Sequence, residues 1–311
     1  MSCVSLFLVL CLGCFTAFGD DHVLSRVRRI IGGTPLSDGE APYLTFVFTD
    51  GTSRGKRSIF RSSFQDPQTT NPPGNFDDPK AFCTGSLVNE QWALTAAHCF
   101  DGTTSGVSLS DPSVWRLKLG TASLRKTRGN SKRFPWFNQR FRKTNAHSPQ
   151  YVEIDRIIRH PDYTEDSLAK DDIAVVRLRE PVDFGPYVRN IEFNTDSDYP
   201  PDGTECFTQG WGCTTNDGPV SRVARTVDLP IYDSADCSNV VDMDYGLCAG
   251  YFNENKGVCS GDSGGPLICE RDGNFVQVGV TSLANKDDPG NSPAIFVRVS
   301  KYINWIQSIV S

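Results

Sequence analysis

Three short segments hold side chains whose chemistry is complementary. Leu94-Thr95-Ala96-Ala97-His98-Cys99 puts a histidine after an apolar strand, pinned by a neighbouring cysteine. Asp171-Asp172-Ile173-Ala174-Val175-Val176 puts an acid at the mouth of a buried strand, and Gly261-Asp262-Ser263-Gly264-Gly265-Pro266 sets a serine in a turn between glycines. A serine hydroxyl is a poor nucleophile until a base takes its proton, and imidazole titrates near neutral pH, which suits His98 to that role. A buried carboxylate, Asp172, would hold one tautomer of the ring and stabilise the imidazolium formed during attack. The glycine before the serine lets the backbone turn so that the N–H groups of Gly261 and Ser263 converge. That is an oxyanion hole, in which one donor contributes roughly 100- to 1,000-fold in rate. Taken singly, a histidine beside a cysteine is usually structural and Gly-Asp-Ser-Gly is usually a turn; together they point to a serine nucleophile.

The chain order narrows the scaffold. A Gly-x-Ser-x-Gly pattern alone could be the nucleophile elbow of an α/β-hydrolase, whose histidine follows the serine. Here the histidines are His22, His98, His147 and His160, none beyond Ser263, so that scaffold is excluded. The subtilisin order Asp…His…Ser is allowed by order alone, but the β-rich pattern opposes it. Residues 43–48, 152–158, 173–178, 275–280 and 294–299 are β-branched or aromatic runs bounded by Gly, Pro, Asn or Asp, and 115–119 alternate apolar with charged as a half-buried strand should. Many short strands with turns between them predict a sandwich or barrel. Only the end reads as a helix: Tyr302, Trp305, Ile306, Ile309 and Val310 share one face, with Ser300 placed to cap the start. His22, His147 and His160 are assigned no chemistry.

Composition sets the compartment. Across 311 residues, 31 basic against 37 acidic side chains leave a net charge of −6, which gives no general attraction to nucleic acid or membrane. A hydrophobic share of 38% argues for a packed globule over a disordered chain. Eleven cysteines are too many for an ordinary cytosolic protein. Residues 4–18 are almost wholly apolar and Ala17-Phe18-Gly19 offers small residues where a signal peptidase reads, although no Lys or Arg precedes the run. The run is short of the roughly 20 residues a membrane-spanning helix needs. Residues 1–19 are therefore read as a cleaved signal peptide, and the mature protein is expected to be secreted and soluble. Cys3, Cys11 and Cys14 leave with it, and the remaining eight form an even set for an oxidising compartment. No Asn-x-Ser/Thr sequon is present, so N-glycans are not expected. Residues 50–80 read as a long exposed loop. Residues 116–143, from Arg116 to Lys143, hold ten basic side chains and no acidic one, a local field of one sign.

The order His98…Asp172…Ser263 with these flanking residues strongly resembles the chymotrypsin/trypsin family of serine proteases. The resemblance runs from Ile30 to the terminal helix, through Cys83-Thr84-Gly85-Ser86-Leu87, Gly210-Trp211-Gly212 and His160-Pro161-Asp162-Tyr163. It implies an all-β fold: two six-stranded antiparallel β-barrels (chymotrypsin-like) with the active site in the cleft between them, and a C-terminal α-helix. The implied bounds are about 30–195 for the first barrel, about 196–299 for the second and about 300–311 for the helix.

A zymogen is implied as well. Residues 20–29 would be an activation propeptide, in which Ser25-Arg26-Val27-Arg28-Arg29 precedes Ile30-Ile31-Gly32-Gly33. An activating protease cutting after Arg29 would free an amine at Ile30 that folds inward and pairs with Asp262, ordering the oxyanion turn. Arg26-x-Arg28-Arg29 fits a furin-like convertase, whereas a trypsin-like activator needs only Arg29. Disulfides Cys83–Cys99, Cys206–Cys269 and Cys237–Cys248 follow from the resemblance. Cys259 departs from it, because residues 285–293 lack the usual partner cysteine; a Cys213–Cys259 bond is set against two free thiols.

The pocket for the side chain preceding the scissile bond maps to Gly257, Val258, Ser282, Ala284 and Ala294. Trypsin-like members carry aspartate where this chain has Gly257, so a positive side chain would find no partner. The resemblance implies a preference for small to medium apolar residues. Ser282 and Ala284 would pair their backbone with substrate as an added strand. Implied partners are protein or peptide substrates and protein inhibitors of serpin or other type, with no cofactor, metal, nucleic acid or membrane. The basic stretch is either an exosite for an anionic glycan or acidic protein, or a solvated loop. A catalytically inactive homologue that binds through that loop is the rival to the enzyme.

Overall fold

The computed structural model describes residues 30–52, 79–124, 149–165, 169–215, 218–232, 237 and 242–311. The expected signal peptide and propeptide, and most of the 50–80 and 116–143 loops, lie outside them.

The first half supplies six strands: β1 Leu44–Thr49, β2 Ala81–Asn89, β3 Trp92–Thr95, β4 Trp115–Leu119, β5 Gln150–Arg159 and β6 Ala174–Leu178. They close in the order β1-β2-β3-β6-β5-β4, every pair antiparallel. β1 is buried without a break, Thr45 and Thr49 included, because both of its faces are covered. Val47 enters the barrel core, whereas Phe46 meets Trp211 edge-on at 5.4 Å in a cluster shared with the second half.

The second half repeats the plan with β7 Glu205–Gly210, β8 Arg225–Pro230, β9 Gly246–Ala249, β10 Pro266–Arg271, β11 Asn274–Leu283 and β12 Ala294–Arg298. These run β8-β7-β10-β11-β12-β9. The ends meet through an Ile231–Ala249 bridge and the bond from Tyr232 N–H to the Cys248 carbonyl, 2.8 Å. Counted from its own first strand, each barrel follows the same cycle, 1-2-3-6-5-4. No repeat is visible along the sequence because what recurs is connectivity, which many residue choices satisfy.

Both chain ends of the described body cross to the opposite barrel. Thr34–Pro35 precedes the first barrel yet pairs with β8 of the second. After β12, a 3-10 turn Val299–Lys301 leads into the terminal helix Ile303–Val310, whose Ile306 packs with Tyr302 into the first barrel's core. The 3-10 turn moves the helix start past Ser300, which does not cap it. The cap position falls on Tyr302 with no side-chain bond, and Ser300 Oγ is buried without a hydrogen-bond partner among the described residues.

β4 also departs from the half-buried strand that its alternation predicts. All five of its residues are buried, not half of them. Trp115, Leu117 and Leu119 fill the core. On the other face Lys118 Nζ donates to the Ser123 carbonyl at 2.7 Å and lies over the Tyr151 ring, while Arg116 Nη1 is 3.5 Å from Asp50 Oδ1. Arg116 and Lys118 are thus structural cations under a roof of neighbouring chain and drop out of the proposed exosite. The remaining members of that stretch, Arg125 to Lys143, lie outside the described residues.

Candidate active site

β3 delivers His98. Thr95 Oγ1 donates to the Thr84 carbonyl at 2.8 Å, tying the strand's end to β2. The chain then enters a 3-10 turn, His98–Phe100. Cys83–Cys99 fixes that turn from below, and Phe100 stacks edge-on against Trp115. The histidine ring remains partly open, at 34% exposure.

Asp172 lies at the mouth of β6 and is 3% exposed. Its Oδ1 accepts the backbone N–H of His98 at 2.9 Å, and its Oδ2 lies 2.7 Å from His98 Nδ1. Ser282 Oγ donates to the same Oδ2 at 2.6 Å. The carboxylate therefore grips both backbone and ring, which makes Nδ1 the donor and leaves Nε2 as the free acceptor. Burial disfavours the imidazolium, but the hydrogen bond and charge of Asp172, with Asp101 adding, outweigh it and hold the His98 pKa above its ordinary value. For Asp172 burial acts upward, and the bonds from His98 and Ser282 together with the histidine's charge bring its pKa below the usual carboxylate value.

The Ser263 turn is built on glycine. Gly261 and Gly264 have φ of +100° and +79°, a region that L side chains rarely occupy. A Cβ at Gly264 would collide with Thr95 Oγ1 and the Thr84 carbonyl, with Ala96 N only 2.9 Å away. The turn thus lies directly against the chain that leads into His98. Thr84 N–H donates to the Ser263 carbonyl at 2.9 Å, and Gly264 N–H donates to the Thr281 carbonyl at 2.8 Å. Among the described residues Ser263 Oγ makes no side-chain hydrogen bond, and the N–H groups of Gly261 and Ser263 have no protein acceptor.

Asp262, next to the serine, is fully buried. Its two oxygens accept the N–H groups of Gly212 at 2.8 Å and Cys259 at 3.0 Å. Those bonds only partly offset burial, which pushes the carboxyl pKa up to about 7. A Cβ at either Gly210 or Gly212 would run into this carboxylate, which is why glycines flank Trp211. Cys213–Cys259 closes beside it, and all four expected disulfides are present. Ile30 is fully buried in the second barrel's core with Val227, Leu229 and Val258. No cation among the described residues pairs with Asp262.

The pocket residues are divided. Gly257, Val258, Ser282 and Ala294 are buried, whereas Ala284 is exposed. Ala294 pairs with Ala249 and packs into the second core, so the two alanines are not matched walls. A Cβ at Gly257 would collide with the Pro289 carbonyl. The 285–292 loop is held over this floor by bonds from Lys256 N–H to the Gly290 carbonyl, 2.7 Å, and from Asn255 N–H to Asn291 Oδ1, 2.8 Å. These bonds stand where a disulfide to Cys259 would be expected.

Several contributors escape sequence reasoning. Asp101, three residues after His98, carries no signal of its own; it accepts Arg159 at 2.7 Å and the Tyr163 hydroxyl beside the histidine. Ser282 is expected in the pocket and for its backbone, yet its hydroxyl reaches Asp172. Pro289 and Tyr302 are too far away in sequence to be linked to the site.

Residues 30–306, nearly the whole described body, match the Trypsin family model. A match of that length places the chain in the trypsin family of serine proteases.

Proposed function

We propose that the protein is a secreted serine endopeptidase, made as a zymogen, that cuts after small to medium apolar residues. The observation that carries this reading is the double grip of Asp172 on His98, at 2.9 and 2.7 Å, because it occupies Nδ1 and leaves Nε2 as the acceptor for a proton. In the proposed reaction His98 Nε2 removes the Ser263 proton as Oγ attacks the scissile carbonyl. The N–H groups of Gly261 and Ser263 receive the developing oxyanion. His98 then protonates the leaving amine, and water admitted by the same base releases the acyl group.

Secretion is supported by the four disulfides and by the apolar leader. No helix among the described residues is long and apolar enough to cross a membrane. Activation after Arg29 is supported by the buried Ile30 and by an Asp262 with no cationic partner among the described residues. Apolar specificity rests on the uncharged Gly257, since a buried guanidinium without a partner is heavily penalised. Partners on this reading are peptide or protein substrates, an activating protease at Arg29 and protein inhibitors.

The test is labelling of the Arg29-cleaved protein with a fluorophosphonate probe, with Ser263→Ala as the blank. A peptide library offering Ala, Val, Leu, Phe or Arg at the cut site follows. Labelling of folded, cleaved protein at no more than the Ser263→Ala level would sink the enzyme and leave the binding homologue. Cleavage after Arg would sink the apolar pocket alone.

A further inference from the structure

We propose that Tyr302 of the terminal segment and Asp171 are positioning residues that set the direction of the Asp172 carboxylate. This rests on the reading of His98 and Asp172 as base and orienter. Asp171 has φ +60°, a left-handed conformation that is unfavourable for a non-glycine residue and persists only where its surroundings fix it. Ala169, two residues earlier, has φ +61°, so the approach to Asp172 is bent twice within three residues. That bend turns the adjacent carboxylates apart, Asp172 toward His98 and Asp171 toward the end of the chain.

What fixes the bend comes from 131 residues away. The Tyr302 hydroxyl accepts the Asp171 N–H at 2.9 Å and donates to Asp171 Oδ1 at 3.0 Å. One buried phenol thereby satisfies two buried polar groups of a single strained residue. His160 Nδ1 lies 3.5 Å from the same Oδ1, and its ring stands edge-on to Tyr302 and Trp305 at 5.1 and 5.0 Å. On the other side Lys170 Nζ lies 4.6 Å from the centre of the Tyr245 ring, which itself faces Tyr302. Beyond the bend, Ile173 N–H closes onto the Asp171 carbonyl at 2.7 Å, and the Ile173 carbonyl accepts His160 N–H at 3.0 Å. Asp172 is therefore held from both sides by a frame anchored on Tyr302. Tyr302 stays protonated, because burial and the Asp171 carboxylate raise its pKa far above neutrality. The frame is then a constant, unaffected by titration of its own phenol.

Removing the hydroxyl strands both the N–H and the carboxylate of Asp171 and frees the bend to relax, which swings Asp172 against His98. Misplacing a catalytic group by about 1 Å can cost on the order of 100-fold; a partial shift is expected to cost about tenfold. The test uses the full-length, Arg29-cleaved enzyme. In Tyr302→Phe, kcat falls about tenfold with KM within about twofold. The acid limb of the kcat profile moves to lower pH as the hold on the imidazolium weakens, and the downfield His98 Nδ1–H proton resonance shifts. Asp171→Asn keeps an acceptor for the phenol and retains most of the rate, whereas Asp171→Ala reproduces Tyr302→Phe. The double variant Tyr302→Phe/Asp171→Ala is no worse than either alone, as for residues acting as one unit. Unchanged kcat, acid limb and proton resonance in Tyr302→Phe, with only a lower melting point, would overturn the proposal. Wild-type protein that fails to label while its His98 resonance still responds to Tyr302→Phe would retire the catalytic reading and keep the positioning one.

Discussion

Cutting after Arg29 should change how stability depends on pH, and the size of the change follows from Asp262. In the uncut chain this carboxyl is fully buried and has only two backbone N–H partners. Burial raises its pKa from 3.8 to about 7. Between those values the folded chain retains a proton that the unfolded chain has released, so stability falls as pH rises. The full difference amounts to about 4 kcal/mol at 1.36 kcal/mol per pH unit, complete near neutrality and absent below about pH 4. On the proposed activation, the Ile30 ammonium would offer the charged carboxylate a partner after the cut, and the loss should largely vanish. Guanidinium melts of a Ser263→Ala precursor between pH 4 and 8, before and after cleavage, measure this directly. His98 and Asp172 also titrate, so the Asp262 contribution is isolated by subtracting the same curve for Asp262→Asn. Parallel curves for precursor and Asp262→Asn, or a slope that survives cleavage, would refute the argument.

Three further outcomes are expected. Gly264→Ala places a methyl against Thr95 Oγ1 and the Thr84 carbonyl at a left-handed φ, and should destabilise by about 3 kcal/mol or more in denaturant melts. Gly257→Asp should not create cleavage after Arg, because the Pro289 carbonyl occupies the space of its Cβ; instead a lower melting point should appear, and robust tryptic activity of that variant would contradict the observed floor. Proteolysis should fail as pH drops through a His98 pKa raised by Asp172 and assisted by Asp101, since the protonated ring cannot accept the serine proton. Asp101→Asn should move that limb to lower pH in a kcat/KM profile, by a few tenths of a pH unit at its partly exposed position.

The strand-rich character and the segments bearing His98, Asp172 and Ser263 are legible in the sequence because each signal is local: β-branched runs between turns, a glycine-flanked turn, an acid before an apolar run. The strands alone leave sandwich and barrel open, and the two barrels follow only from the family resemblance. Cys213 and Cys259 could be matched because every other cysteine was accounted for. What was hidden depends on three dimensions. Alternation in 115–119 distinguishes two faces but not water from a protein roof, so it does not reveal the burial of Arg116 and Lys118. Ser300 has the type of a cap, and only the intervening 3-10 turn disqualifies it. Pro289 over Gly257 and Tyr302 on Asp171 are contacts between distant stretches that no spacing announces.

The exchange of end segments bears on how the two halves can move. A stretch ahead of the first barrel is sewn to the second, and a helix beyond the second is sewn to the first. Two bodies buckled crosswise in this way cannot hinge open like a jaw without stripping off a strand or a helix. Relative motion of the two halves is thus restrained, and heating should melt both in one cooperative calorimetric step.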